Sequence, residues 1–554
     1  MYIPNLKHKV SYKRTTSIKT HIASNIIVKL FFSLALFSSL FSISSSSTTS
    51  SSSIDWWCNQ TPYPEPCKYH MNHRHNRFKP NHRSEFRKIL VQLAVEQAQA
   101  MHKEAQEYGP KIVSQTQTYV FSDCLKLYDN TVFHLNQTLQ ALHSYACSLL
   151  DAQTWLSTAL SNIETCCSSA VQLGVRVFSL QNNVSSHNVR KMISNVLAVN
   201  GEILKQENNN TKRKALGFIP SWFSWHERRL LSLSSSSLKA NLVVAQDGTG
   251  HFKTVRAAID ATSKRTVKAR FVIRVKKGVY EENIQVDKNN ENLMIVGDGM
   301  KLTIIIGSKS VQDGITPSMS ATVGIDGAHF IARDITFRNT AGPEKGQVLA
   351  LQSASDLSVF YQCSIEGYQD TLMAHAQRQF YRDCSIFGTV DFIWGDAAIV
   401  LQNCTILVRK PLQGQGNMIT AQGRGDPFQN TGISIINSRI RAAPDLRPVV
   451  KSYETYLGGP WQQYARVVAM KTYIEGLVNP LGWSQWGDSD FAQDTCYFGE
   501  YMNSGTGSST KDRVQWPGFH VLTSENDTQQ FSVAGLLAGN TWLPPTGVPF
   551  DIDI

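Results

Sequence analysis

The sequence predicts a helical bundle followed by a right-handed parallel β-helix, and three observations carry that reading. Residues 55–205 show apolar positions at helical spacing with no strand-like alternation, as in Ile89, Leu93, Val95 and Ala98 and again in Trp155, Leu156, Leu160 and Ile163. From Leu242 onward the texture changes to short β-branched runs punctuated by Gly, Asn and Asp, such as RFVIRVKKGVY and HFIARDITFRN. Within that half, VFYQCSIEGYQD, QFYRDCSIFGTVD and IVLQNCTILV align on Cys363, Cys384 and Cys404. A repeat of about twenty residues built from short strands is the mark of a solenoid whose turns stack at the ~4.8 Å strand spacing.

Taken from the N-terminus, residues 1–53 open with Lys and Arg and no acid up to Lys29, continue with the apolar run Leu30–Ile43, and end in a serine/threonine tract. This order reads as a signal peptide or signal anchor, and Lys29 leaves the apolar run short of the ~20 residues a membrane span needs, which favours cleavage. A secretory route makes disulfides possible and turns the sequons at Asn59, Asn136, Asn183, Asn209, Asn403 and Asn526 into candidate glycan sites. Residues 54–205 form the predicted bundle. Residues 206–238 are polar, basic and aperiodic, which describes a linker. It carries Arg228–Arg229, a basic pair open to a processing protease. Residues 239–554 are the solenoid.

Charge says little about function. The formal net charge is +11, but Lys+Arg exceed Asp+Glu only before residue 239, and the solenoid half is near neutral. It offers no basis for a nucleic-acid partner. No Cys/His cluster has zinc-ligand spacing, so the expectation is no metal.

The repeat has a chemical consequence, because residues at one phase of adjacent turns become neighbours. Asp370 follows Cys363 by seven residues, and Asp391 follows Cys384 by seven. The two carboxylates are therefore expected one rung apart, where mutual repulsion raises one pKa and leaves the other group ionised. The competing reading is that both are corner residues of a solenoid, where Asp and Asn are frequent. The same phase places Cys363 beside Cys384, and a disulfide is expected there.

Asp370 lies in GYQDTL and Asp391 in GTVDFIWG, and with AGPEKGQVLAL, MITAQGR and GEYMNSG these motifs resemble the pectin methylesterases over essentially all of residues 240–550. The bundle, through WWCNQTPYPEPC, SDCLKLYDN and WLSTALSNIETC, resembles the plant invertase and pectin methylesterase inhibitors. The first resemblance implies hydrolysis of galacturonate methyl esters in pectin at the cell wall, without a cofactor. It implies Asp391 as nucleophile, Asp370 as general acid and then base, Gln347 and Gln369 as donors to the oxyanion, Gln347 also touching substrate, and Trp461 as a sugar-binding aromatic. The second implies the disulfides Cys58–Cys67 and Cys124–Cys166, with Cys147 and Cys167 left over, and a contact between the bundle and the chain's own enzyme half. Arg228–Arg229 resembles the processing site between the two halves.

Three positions depart from the family pattern. Gly459 stands where the family has an arginine that pairs with the nucleophile, which would raise the Asp391 pKa and loosen its rotamer. Pro317 replaces a threonine, and Trp394 a phenylalanine. Gly459 supports a second reading, a pectin-binding homologue with impaired catalysis. A glycosidase, which also uses paired carboxylates, is a third and is opposed by the motifs.

Overall fold

The computed structural model describes residues 53–73, 80–109, 112, 114–175, 184–211, 239–263, 265 and 269–554. The N-terminal apolar run and the Arg228–Arg229 pair lie outside these residues.

Two short helices, α1 (Ile54–Cys58) and α2 (Pro64–Asn72), precede four long ones: α3 (Arg83–Tyr108), α4 (Gln115–Ser144), α5 (Leu149–Gln172) and α6 (Val184–Thr211). The starts of α4 and α5 are fixed by capping boxes. Ser114 and Gln117 exchange side-chain and backbone bonds at one, and Ser148 and Asp151 at the other. Of the predicted apolar positions, Ile89, Leu93, Val95, Ala98, Leu156, Leu160 and Ile163 meet in the bundle core, whereas Trp155 is half-buried and turns to the solenoid, its Nε1 donating to Asp356. Disulfides join Cys58 to Cys67 and Cys124 to Cys166, the second tying α4 to α5. Cys147 and Cys167 take part in neither.

The second half is a solenoid of three parallel sheets. Sheet I has eleven strands from Leu242–Val244 to Phe519–Val521, sheet II eight from Gly278–Glu281 to Tyr473–Ile474, and sheet III seven from Ile284–Val286 to Thr455–Gly458. One rung reads Ser358–Tyr361, Ser364–Glu366, Leu372–Ala374, and the next Arg378–Arg382, Ser385–Gly388, Ile393–Gly395. Their registers place Tyr361 on Arg382, Ile365 on Ile386 and Leu372 on Ile393. Inward side chains therefore stack in columns, such as Ile365, Ile386, Ile406 and Ile440, all fully buried. Burying each such side chain contributes ~1.5–3 kcal/mol. The outer face of sheet I is covered by the C-terminal segment, with Leu537 and Trp542 in the same cluster as Phe380 and Val400.

The corners explain the abundance of Asn and Asp. Asp334, Gln362, Asp383, Asn403 and Asn437 each end a sheet I strand with φ between 50° and 55°. Short polar side chains tolerate this left-handed region best. Cys363, Cys384 and Cys404 follow three of these corners and point into the core, each at most 1% exposed.

The expected Cys363–Cys384 disulfide is absent; both residues are thiols. The stacking itself is present, since Cys384 interacts with both Cys363 and Cys404. In-register parallel strands hold equivalent Cβ atoms near the ~4.8 Å strand spacing with parallel Cα–Cβ vectors, outside the ~3.5–4.5 Å a disulfide needs. Burial pushes the Cys384 and Cys404 thiols well above their usual range, which suppresses the reactive thiolate. Peptide mapping without reduction is expected to recover Cys363, Cys384 and Cys404 as thiols that alkylate only after unfolding.

Bundle and solenoid touch along the corners that follow the sheet III strands. Arg378 Nη1 pairs with Asp151 of α5 at 2.8 Å, Lys126 of α4 with Asp326 at 2.7 Å, and Ser194 Oγ of α6 donates to Asp426 at 2.6 Å. Ser161 of α5 donates to the buried carboxylate of Asp396. Burial pushes Asp396 up to about 7.

Candidate active site

Asp370 and Asp391 occupy the corners that lead into sheet III, each two residues ahead of a strand. Both backbones are left-handed, with φ of 62° and 50°. The corner reading and the catalytic reading thus fall on the same residues: the left-handed turn that suits Asp also sets where its carboxylate points. The register Leu372–Ile393 puts them on successive rungs, and Asp370 N donates to Val390 O at 3.0 Å. They are 3% and 8% exposed.

Their electrostatics differ in the direction the sequence predicts. Desolvation and then the charge of Asp391 hold the Asp370 carboxyl well above the usual range. Desolvation pushes Asp391 up to about 6. Asp370 is the group that keeps its proton, and Asp391 is the one that ionises first. Gln347 bridges to Gln369 on the neighbouring rung, Val348 N donates to Gln369 O at 3.2 Å, and the Gln347 amide bonds to the Asp370 carboxyl. The Gln347 amide therefore stands beside the carboxylate pair, and the backbone of Gln369 is fixed on the rung next to it. Trp394 Nε1 donates to Asp370 O at 3.2 Å, which anchors the backbone of that corner.

Trp461 packs edge-on against Trp394 with ring centroids 5.4 Å apart, over Leu349, Met373 and Ala421 on the outer face of sheet III. The residue that admits it is Gly423, which sequence reasoning passed over within MITAQGR. A Cβ there would lie 2.6 Å from the Trp461 ring. Trp483 is 1% exposed and stacks on Phe498 at 4.3 Å, so it belongs to the core and not to a groove.

The departures also have physical settings. Gly459 follows the last sheet III strand, two rungs from Trp394. A Cβ on it would meet the Ser484 carbonyl oxygen at 2.7 Å. Arg466, the nearby cation, is turned to sheet I, where its Nε donates to Thr431 O at 2.8 Å and its guanidinium lies over Phe531. Pro317 opens the short helix Pro317–Ser320 at the position where no backbone N–H is needed, behind the N-cap Thr316.

The pectinesterase family model matches residues 241–540, and the plant invertase/pectin methylesterase inhibitor model matches residues 52–199. A probable pectinesterase/pectinesterase inhibitor 33 of Arabidopsis thaliana is 52% identical over 506 residues, covering 89% of this chain and 85% of that protein. Pectinesterase 2 of Citrus sinensis is 50% identical over 512 residues, covering 92% of this chain and 97% of that protein. Among solved structures, a pectin methylesterase from carrot superposes with a TM-score of 0.56 at 52% identity, covering 57% of this chain and 99% of that one.

Proposed function

The chain belongs to the pectinesterase family, and on that premise we propose how its own residues remove methyl esters from pectin. The reaction is hydrolysis of galacturonate methyl esters, with release of methanol. Ionised Asp391 attacks the ester carbonyl carbon, and the Gln347 and Gln369 amides donate to the oxyanion. The tetrahedral intermediate collapses, and methanol leaves with the proton of Asp370. Asp370, now a carboxylate, takes a proton from the water that hydrolyses the acyl-enzyme, and Asp391 is regenerated. Trp461 packs against a pyranose face of the polymer. The observation that supports these roles most is the unequal pair on adjacent rungs, one carboxyl well above its usual range and the other at about 6. Methanol release from methylated pectin by the wild-type chain tests the reading, and a folded wild-type protein that binds pectin and releases none overturns it.

The inhibitor-like bundle sits next to this site. Thr165 of α5 bonds His375 Nε2 at 3.0 Å, and His375 directly follows the strand that begins two residues after Asp370. The docked bundle therefore flanks the path of a polymer across sheet III. Cutting at Arg228–Arg229 breaks the covalent link between the two halves, and the enzyme half of the cell-wall form begins shortly after Leu231. N-terminal sequencing of the secreted protein checks this; a chain starting near residue 54 counts against it.

Gly459→Arg is expected to raise methanol release about tenfold at mildly acidic pH, because a nearby guanidinium favours the ionised nucleophile. The contact with the Ser484 carbonyl oxygen forces a backbone shift, so the same variant is expected to melt earlier. An unchanged rate and pH profile in a folded variant would remove Gly459 from the account.

A further inference from the structure

Arg409 reaches the approach to both catalytic corners. Gly367 lies three residues before Asp370, and Gly388 three residues before Asp391. The Arg409 backbone N–H donates to Gly388 O at 2.8 Å. Its side chain passes back one further rung, where Nη1 donates to Gly367 O at 3.0 Å and Nη2 to the Tyr368 hydroxyl at 2.7 Å. The guanidinium also lies over the Tyr368 ring, 3.8 Å from its centroid. Its remaining edge faces Asp445 at 3.3 Å. Planar geometry is what allows one group to hold a carbonyl, a hydroxyl and a ring face together, and a lysine ammonium lacks it.

We infer that Arg409 is a positioning residue for the hydrolysis, fixing the two turns that carry Gln369, Asp370 and Asp391 relative to each other. This inference rests on the roles proposed above for those residues. Arg409 does not touch the reacting atoms; it sets the corner from which they project. A misplaced acid or oxyanion donor slows the chemical step without changing how the polymer binds, because small displacements at the reacting atoms cost orders of magnitude. A bland surface pairing with Asp445 would have no such effect.

A surface cavity of about 500 Å³ opens beside the group, lined by Arg338, Glu366, Tyr368, Phe387, Arg409 and Asp445. Arg338 is engaged with Glu366 at 2.6 Å. A small cation from solvent can therefore enter the space that the Arg409 side chain leaves when truncated.

The test is steady-state methanol release by the full-length protein, wild type against Arg409→Ala, Arg409→Lys, Tyr368→Phe and Asp445→Asn. Arg409→Ala is expected to lower kcat tenfold or more with KM within about twofold of wild type, a change confined to the transition state. Millimolar guanidinium is expected to recover most of that loss. Arg409→Lys should recover part, Tyr368→Phe should lose severalfold in kcat, and Asp445→Asn should match wild type. A wild-type kcat in Arg409→Ala, or a rise in KM alone, overturns the inference. So does a folded Arg409→Ala that is inactive and unresponsive to guanidinium. Should Arg409→Ala not fold, Tyr368→Phe decides, and an unchanged kcat there overturns the inference. A wild-type protein that releases no methanol fails the proposed function instead, and the two failures are distinct.

Discussion

Asp391→Asn is expected to lower methanol release by a factor of about a thousand or more, since loss of the proposed covalent nucleophile removes the reaction path itself. The pH dependence of the wild type follows from the same pair. In the proposed mechanism Asp391 acts ionised, and burial pushes it up to about 6, so the rate is expected to climb as pH rises through that value. In the same mechanism Asp370 acts protonated and is held well above the usual range, so the rate is expected to fall at the higher pH where it loses its proton. Stability moves in the opposite sense to activity. The native pKa of Asp391 lies above the ~4 of a solvated aspartate, so the native state carries no penalty below pH ~4. The penalty builds as pH rises and is complete above the native value of about 6. An asparagine carries none, so the variant is expected to gain on the order of 2–3 kcal/mol over wild type above pH ~6 and nothing near pH ~4. Thermal melts across that range check it. Melting curves that never diverge would mean that Asp391 is not held against its ionisation, and the assignment of nucleophile would lose its support.

The repeat makes the solenoid legible in the sequence, because a column of inward residues must recur once per turn. Cys363, Cys384 and Cys404 marked that column, and the phase they set carried Asp370 and Asp391 to adjacent corners. The same phase misled at the sulfurs: counting residues finds neighbours but not the direction of the Cα–Cβ bond, and parallel in-register strands aim those bonds side by side. Positive φ at Asp370 and Asp391 was beyond sequence reasoning, since Asp in a left-handed corner and Asp as catalyst look alike on paper. Arg409 and Gly423 were missed for a related reason. Each acts on a residue one or two rungs away through a contact that no local motif encodes. The bundle was legible from its helical spacing, but its docking was not, because the polar corner residues that meet it, such as Asp326, Asp396 and Asp426, resemble ordinary solvated turns.

Arg378→Leu is expected to destabilise the protein by about 3–5 kcal/mol and to release the bundle once the linker is cut. Arg378 is 3% exposed and holds Asp356 through two bonds, Nε to Oδ1 at 3.0 Å and Nη2 to Oδ2 at 2.8 Å. Burial alone would raise the Asp356 carboxyl, but the Arg378 guanidinium holds it below the usual range. Removing the cation leaves that carboxylate buried without its counter-ion, and this is the costly half of the exchange. Replacing both partners, as in Arg378→Leu with Asp356→Leu, removes the stranded charge and is expected to recover much of the loss. The third arm of Arg378 reaches Asp151, and Trp155 Nε1 donates to Asp356 at 3.4 Å, so α5 meets the solenoid at this pair twice. Asp151→Asn separates the two effects, because it removes only the bundle's share and leaves the pair inside the solenoid intact. After cleavage near Arg228–Arg229, size-exclusion chromatography should find the bundle still bound to the wild-type solenoid, weakened by Asp151→Asn and lost with Arg378→Leu. Retention of the bundle by the folded Arg378→Leu protein would place the hold on the other polar ties, among them the buried pairs Ser161–Asp396, Ser194–Asp426 and Ser161–Gln429.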